Sequence, residues 1–327
     1  MITSKTPLRV SFLGGGTDYP EFSSRQIGRV LGTAINLYVY VSVLPNNNLS
    51  TPGFRLNYSV HEDVNEAHEF KHPVVRTVLA DNSKFKHGLS ISTLADVPAR
   101  SGLGSSSTFT VGLLNALHAS RGEFLDSTQL ADGAVEIERF SLNEAGGYQD
   151  QYHAAVGGFN LYEFSGRKVS IQPVSNSNVA ILDESMYLVS VGQPRDSFEH
   201  AAQTSNFAKT IEGQELLPKL SSLTGKVYEE LSGSTNPYAF LGILADGMND
   251  AWLMKKQFSK SVSDYLVDET IQHGIKHGAL SGKLCGAGGS GFILFLVPLE
   301  AQPDFEFAFS DSQIKKIGIS PVGSQII

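Results

Sequence analysis

The stretch Pro98-Ala99-Arg100-Ser101-Gly102-Leu103-Gly104-Ser105-Ser106-Ser107 constrains this chain more than any other segment. Two glycines and three hydroxyls stand directly ahead of a helical pattern, Thr108-Phe109-Thr110-Val111-Gly112-Leu113-Leu114-Asn115-Ala116-Leu117. The glycines let the backbone approach a ligand closely. The helix start offers unpaired N–H groups and the positive end of the dipole, a combination that suits phosphate. A Walker A loop would need a lysine directly before Ser or Thr, and there is none. Any of Ser105, Ser106 and Ser107 could give an oxygen to Mg²⁺. The plainer alternative is a serine N-cap after a glycine loop, although three consecutive serines exceed what a cap requires.

The rest of the chain gives this loop a large setting. With 327 residues, 41% hydrophobic and 18% charged, the chain can bury a sizeable core and is predicted to form two domains, 1–180 and 181–327. Acidic residues outnumber basic ones by 33 to 25, for a formal net charge of -8. That argues against a broad nucleic-acid surface while leaving room for a locally positive pocket. A single cysteine, Cys285, excludes an intrachain disulfide and fits a reducing, cytoplasmic setting. No apolar run approaches the ~18 residues of a membrane span, and the first residues lack a signal-peptide core, so no membrane partner is expected.

Alternation and β-branching predict strands at Leu8–Leu13, Val30–Ile35, Leu37–Leu44, Phe54–Tyr58, Leu89–Leu94, Met186–Val191 and Gly291–Val297, with a pair at Phe159–Phe164 and Lys168–Val174. A last small unit includes Ile314–Ile319. Pro73 suits the first residue of a helix over Val74–Ala80, and Ser127 the cap of one over Thr128–Phe140. A short helix follows at Gln151–Val156, and long helical patterns run from Phe198 to about His277. The acidic stretch 61–69 reads as a solvated loop. Strands precede helices in each half, which predicts an α+β fold.

Two further glycine-rich segments and two carboxylates draw attention. In Leu8-Arg9-Val10-Ser11-Phe12-Leu13-Gly14-Gly15-Gly16-Thr17-Asp18, a strand delivers the chain to three glycines, a hydroxyl and a carboxylate that could accept from sugar hydroxyls. A simple Gly-rich turn with an Asp cap fits equally well. Arg9 is a charge on a strand expected to be buried, and such a charge needs a partner. Lys283-Leu284-Cys285-Gly286-Ala287-Gly288-Gly289-Ser290-Gly291 is either a turn folding over a ligand or a tight turn between strands. Cys285 reads as a small core residue rather than a nucleophile. Asp150, after Gly146-Gly147, is either an N-cap or a carboxylate placed to accept a hydroxyl proton. Glu138 lies on a helix, where most glutamates are merely solvated.

In this order, these features resemble the GHMP kinase superfamily, which includes galactokinase, homoserine kinase and mevalonate kinase. Pro98 through Ser107 resembles that family's Pro-x-x-x-Gly-Leu-Gly-Ser-Ser ATP motif, Gly286–Gly291 its third motif, and Thr6–Tyr19 its first. Galactokinases carry a Glu-His pair where this chain has Gly15-Gly16, which argues against plain galactose. Gly14–Asp18, together with Gly147-Tyr148-Gln149-Asp150-Gln151-Tyr152 and Gly157-Gly158-Phe159, is most similar to bacterial D-glycero-D-manno-heptose 7-phosphate kinases, with fucokinases as near relatives.

The resemblance implies a two-domain α+β fold, with an N-terminal ATP-binding domain like the second domain of ribosomal protein S5 and a ferredoxin-like C-terminal domain. It implies ATP as co-substrate, held by Pro98 and Gly102 through Ser107, and Mg²⁺ on Ser106 and Glu138. Asp150 is then the catalytic carboxylate, kept ionised by Arg9. Gly14, Gly15, Gly16, Thr17, Asp18, Gln151, Gly288 and Gly289 fall at the sugar. Arg195 and Lys283 are the candidates for an acceptor phosphate, with Arg25 and Arg100 in reserve. The implied reaction makes the heptose 1,7-bisphosphate for GDP-heptose and surface polysaccharide. The alternatives are an unphosphorylated sugar such as heptose or fucose as acceptor, and a non-catalytic sugar–nucleotide sensor. A second copy of the chain, as a homodimer, completes the set of expected partners.

Overall fold

The computed structural model describes residues 1–46, 53–80, 85, 87–99, 101–192 and 197–327, with the main chain alone for 197 and 198. The first part runs β1 (Ile2–Leu13), a short helical turn α1 (Pro20–Ser23), β2 (Gly28–Pro45), β3 (Gly53–Asn57), β4 (His61–Val64), α2 (Pro73–Val78) and β5 (Gly88–Ala95). It continues through α3 (Ser105–Ser120), α4 (Ser127–Val135), α5 (Gln149–Val156), β6 (Phe159–Ser165) and β7 (Lys168–Pro173). The second part has α6 (Ile181–Ser185), β8 (Met186–Val191), α7 (Ser197–Phe207), α8 (Ile211–Ser232), α9 (Pro237–Lys255) and α10 (Tyr265–Lys276). It ends with β9 (Ser281–Leu284), β10 (Gly291–Leu296), α11 (Gln302–Ala308), β11 (Ile314–Ile317) and β12 (Gln325–Ile326).

Two mixed α/β layers result. The larger sheet has the order β12-β1-β2-β5-β3-β4, with β6 and β7 branching from β2, and the smaller has the order β11-β8-β10-β9. All pairings are antiparallel except β3 with β5. The strand β2 organises the larger sheet: its first half pairs with β6 (Gly28↔Phe164 to Thr33↔Phe159) and its second half with β5 (Val39↔Ala95 to Pro45↔Leu89). The last short strand, β12, returns from the far end of the chain to pair with β1 at Ser4 and Lys5.

Several sequence expectations change here for local reasons. The two strands expected at Val30–Ile35 and Leu37–Leu44 are one continuous strand. The polar residue between them, Asn36, sits in a bulge where the pairing jumps from Pro7↔Tyr38 to Leu8↔Ile35. Its main-chain N–H donates to the Gly318 carbonyl, and its side-chain oxygen accepts from the Gly318 N–H. The acidic stretch 61–69 is not a loop but β4 followed by a short 3₁₀ turn. There Glu62 is buried and accepts from the main-chain N–H groups of Lys71 and His72. Asp126, not Ser127, caps α4, forming a reciprocal box with Gln129. The helix expected to run on to Phe140 changes after Val135 into a π-helical segment, Glu136–Ser141.

The core is continuous across both sheets. Helix α3 is buried along most of its length, from Ser107 to Leu117, and packs on β1 and β2. Helix α9 touches β1 of the larger sheet and β9 of the smaller one. Its Phe240 is fully buried, and the ring meets Phe159 edge-on with centroids 6.4 Å apart. Among the described residues, no helix is long and apolar enough to cross a membrane.

Phe240→Ala should therefore open a cavity beneath α9 and cost about 3–5 kcal/mol of stability. Denaturant titration checks this, and a loss no larger than that of an exposed substitution would show that α9 does not tie the two layers together.

Candidate active site

The helix start that follows the serine loop is uncapped. Gly104 occupies the N-cap position in a left-handed conformation (φ 79°) and supplies no side-chain hydrogen bond. The N-cap role considered for the serines is therefore not the one they play. Ser105 and Ser106 face a cleft of about 740 Å³, whose wall also includes Gly102, Gly104 and Ser107. Pro98 is exposed and lies off that wall, while Leu103 is in the core. The third glycine segment packs directly on this loop. A Cβ at Gly286 would lie 2.7 Å from the Gly102 Cα, and one at Gly102 would lie 2.8 Å from the Cys285 carbonyl oxygen. Two main chains at that separation require glycine. Cys285 is buried, as its reading as a core residue anticipates.

Arg9 and Asp150 meet in a two-pronged ion pair. Arg9 Nε donates to Asp150 Oδ1 and Nη2 to Oδ2, each at 2.7 Å. Arg9 Nη1 donates to the Gly102 carbonyl (2.7 Å), and the Arg9 main-chain N–H to that of Leu103 (3.1 Å). One guanidinium thus joins β1, the serine loop and the start of α5. Burial alone would push the Asp150 carboxyl up, but the adjacent Arg9 charge and its hydrogen bonds hold it below the usual carboxylate range. Asp150 keeps a quarter of its side chain exposed and faces the cleft, whereas Arg9 is nearly closed off behind it.

Asp18, a second carboxylate in the cleft wall, is pushed the other way. Its pKa is raised by burial, which outweighs the hydrogen bonds it receives. Its Oδ1 accepts from the Gly16 N–H and from Gln149 Nε2, both at 3.0 Å, and its Oδ2 from the Gln149 N–H at 3.1 Å. Gly147 makes this possible, since a Cβ there would fall 1.8 Å from Asp18 Oδ2.

Glu138 is the third acid. The π-helical segment turns it inward, into complete burial. Its Oε2 accepts from Ser107 Oγ (2.8 Å) and Gln151 Nε2 (2.5 Å), and its Oε1 from Thr110 Oγ1 (2.6 Å). Of the three serines it is Ser107, not Ser106, that the fold brings onto Glu138; Ser106 is exposed on the same cleft wall. Arg139 Nη2 lies 3.5 Å from Glu138, and Nη1 3.6 Å from Glu144. Burial raises the Glu144 carboxyl, and the charge on Glu138 adds to this. Among the described residues there is no cluster of three or more metal-binding side chains. A single carboxylate with hydroxyls at a phosphate loop fits a cation such as Mg²⁺, which keeps several waters and takes substrate phosphates as ligands.

Other residues singled out from the sequence do different work. Lys283 is buried off the cleft wall, and its Nζ donates to the carbonyls of Ser11 (2.6 Å) and Phe12 (3.2 Å), so it does not offer itself to a ligand. Gln151 supports Glu138 rather than the cleft, and the cleft-lining amide is that of Gln149. Gly14 and Thr17 are buried off the cleft, the Thr17 hydroxyl being bonded to the main chain of Gly14 and Arg29, while Gly15 and Gly16 do line it. Gly288 and Gly289 lie against Val262 and His200, off the wall. Arg25 is exposed and away from the cleft. Arg195 and Arg100 lie outside the described residues.

Sequence reasoning missed both ends of the cleft. Near the serine loop, Tyr58, His72 and Phe109 form an aromatic wall, with ring centroids 5.2 and 5.0 Å apart along the series. Burial lowers the His72 pKa, which favours the neutral ring. Near Asp18, the second half of the chain contributes Thr204 and Phe258, which pack against Gly16, and next to them Lys255, which reaches the Gly286 carbonyl. None of these carries a local motif.

Two outcomes follow. Arg9→Gln should move the acidic limb of the kcat/KM profile to higher pH, because burial then acts on Asp150 without its counter-charge and the carboxyl protonates earlier. An acidic limb unchanged from wild type would mean that Arg9 does not set the charge of Asp150. Gly147→Ala should displace Asp18 and lower activity even where circular dichroism reports a folded protein; full activity would show that the Asp18 arrangement is dispensable.

Residues 71–158 match the family model described as the GHMP kinases N terminal domain. A D-glycero-alpha-D-manno-heptose 7-phosphate kinase of Campylobacter jejuni is 31% identical over 312 residues, which cover 90% of this chain and 89% of that protein. A bifunctional fucokinase/GDP-fucose pyrophosphorylase of Arabidopsis thaliana is 27% identical over 320 residues, 89% of this chain and 29% of that much longer protein. The crystal structure of a D-glycero-D-manno-heptose 1-phosphate kinase from Bacteroides thetaiotaomicron superposes with a TM-score of 0.78 at 24% identity, covering 100% of this chain and 99% of that one. That last likeness establishes the fold.

Proposed function

The chain belongs to the GHMP kinase family, as a sugar kinase, and from that premise we propose that it phosphorylates the anomeric hydroxyl of D-glycero-D-manno-heptose 7-phosphate. The products would be the 1,7-bisphosphate and ADP, and the step would serve GDP-heptose and surface polysaccharide synthesis. The observation that carries the reading is the Arg9–Asp150 pair facing the cleft beside an uncapped, serine-rich helix start.

In this reading the aromatic wall of Tyr58, His72 and Phe109 receives the adenine, and the N–H groups and hydroxyls of Ser105–Ser107 take the phosphates. Glu138 with the Ser106 and Ser107 hydroxyls would hold Mg²⁺. Bound there, the metal would neutralise charge on the ATP phosphates. The acceptor lies at Gly15, Gly16, Asp18 and Gln149. Asp150, kept ionised by Arg9, orients the anomeric hydroxyl and takes its proton. The acceptor oxygen then bonds the γ-phosphorus, the bond to the bridging oxygen breaks, and its electron pair leaves with ADP. A pure sensor would have no use for an ionised carboxylate at the acceptor.

A second reading, an unphosphorylated sugar as acceptor, has one observation in its favour. Among the described residues, both arginines lining the cleft are already matched by carboxylates.

Coupled ADP release across heptose, heptose 7-phosphate, fucose and galactose tests the proposal. Heptose 7-phosphate should give the highest kcat/KM, and a preference for a free sugar would move the assignment to the second reading. Asp150→Asn should lower kcat on the preferred acceptor by roughly 100-fold or more while ATP binding persists. Near-normal turnover would remove Asp150 from the chemistry.

A further inference from the structure

Three Arg and Lys side chains among the described residues line the cleft, and two of them have carboxylate partners: Arg9 has Asp150, and Arg139 has Glu138 and Glu144. The third, Lys255, has none. It ends α9, is partly buried, and donates from Nζ to the Gly286 carbonyl. An ammonium has three N–H donors, so one carbonyl leaves two of them without a protein partner. A partly buried cation with no carboxylate in contact is costly unless an anion arrives to meet it.

Its position says which anion. Gly286 is the residue whose main chain lies against Gly102 of the serine loop, so Lys255 sits beside the phosphate-binding turn. Phe258, three residues further along the chain, lines the same cleft, and its ring is the close neighbour of Gly16 at the acceptor end. Lys255 therefore stands between the two substrates' ends of the cleft. We infer that the Lys255 ammonium donates to the phosphoryl group as it passes from ATP to the acceptor. This rests on the kinase reading above and adds a catalytic residue to it.

The transfer balances without any further reactant. The acceptor oxygen forms a bond to the γ-phosphorus, the bond to the β,γ-bridging oxygen breaks, ADP keeps that electron pair, and the hydroxyl proton passes to Asp150. Lys255 keeps its protons throughout and supplies positive charge to the non-bridging oxygens. Several charged or titratable groups act on it: Lys283 and Cys285 from β9 and the turn after it, Arg9 from β1, Asp18 from the glycine loop and Asp150 from α5. Burial pushes Lys255 down to about 8. Arg9 works in the same direction, and Cys285 and the two carboxylates oppose it.

The test compares Lys255→Met and Lys255→Arg with wild type, each first checked for an intact fold by circular dichroism and thermal melting. Lys255→Met should lower kcat by roughly 100-fold. It should also weaken binding of β,γ-imido-ATP by roughly tenfold in calorimetric titration while ADP binds as in wild type. In wild type, kcat/KM for ATP should fall above a pH of about 8. In Lys255→Arg that alkaline limb should move out of range, because a guanidinium does not titrate there. Equal weakening of ADP and β,γ-imido-ATP would overturn the inference, as would a rise confined to the KM of a phosphorylated acceptor, or an alkaline limb retained in Lys255→Arg. The calorimetric arm needs no acceptor. If no sugar in the panel is turned over but the selective loss of β,γ-imido-ATP remains, the acceptor assignment fails and the Lys255 contact stands.

Discussion

The Arg9 guanidinium is where the architecture and the chemistry of this protein coincide. It is buried on β1, and a buried guanidinium must have its donors met. The chain meets them from two places far away in sequence: the Asp150 carboxylate at the start of α5 and the Gly102 carbonyl in the serine loop. Each contact is short, and the carboxylate pairing is two-pronged, which fixes direction as well as distance. The consequence is that the serine loop and the Asp150 carboxylate are tied to one side chain and to each other. A residue that a fold-centred view would count as a buried liability keeps the parts assigned to the reaction in the proposed function in register.

Around that pair, close main-chain approach does the remaining positioning. Gly102 and Gly286 bring the first and second halves of the chain within contact at the phosphate loop. Gly147 leaves room for the Asp18 carboxylate, which in turn holds Gln149 one residue before Asp150. The two aspartates occupy one cleft yet differ in their surroundings: Asp150 has a cation beside it, whereas Asp18 has hydrogen-bond donors and the like charge of Asp150. Environments that separate the pKa values of two like groups allow one to act as a base while the other holds structure.

The parts of the site that could be read from the sequence were those with unusual local composition. Three serines at a helix start, paired glycines and a charge in an apolar strand each break an ordinary pattern, and all three lie at the cleft. Tyr58, His72, Phe109 and Lys255 break none. A tyrosine after a strand or a lysine in the last turn of a helix is what any soluble protein shows, and only the folding of distant segments onto one another brings them to the wall. Lys283 is placed off the cleft wall for the complementary reason. The carbonyls of Ser11 and Phe12 that hold it come from a strand some 270 positions away, and a main-chain acceptor leaves no mark on a sequence. The inward turn of Glu138 was hidden in the same way, because a π-helical segment has no signature in the spacing of apolar residues.

The return of β12 to β1 bears on the order in which the molecule can be made. Until residues 325–326 have emerged from the ribosome, the first part of β1, at Ser4 and Lys5, has an unpaired side open to another extended chain. The helices of the sugar kinase framework can gather earlier, but the Ser4–Lys5 stretch of β1 stays unpaired on that side until residues 325–326 arrive. A nascent chain stalled in the last helices would already contain Arg9 and Asp150 and still present that edge. The interval between those two events is when the protein is most exposed to pairing with a neighbour instead of with itself.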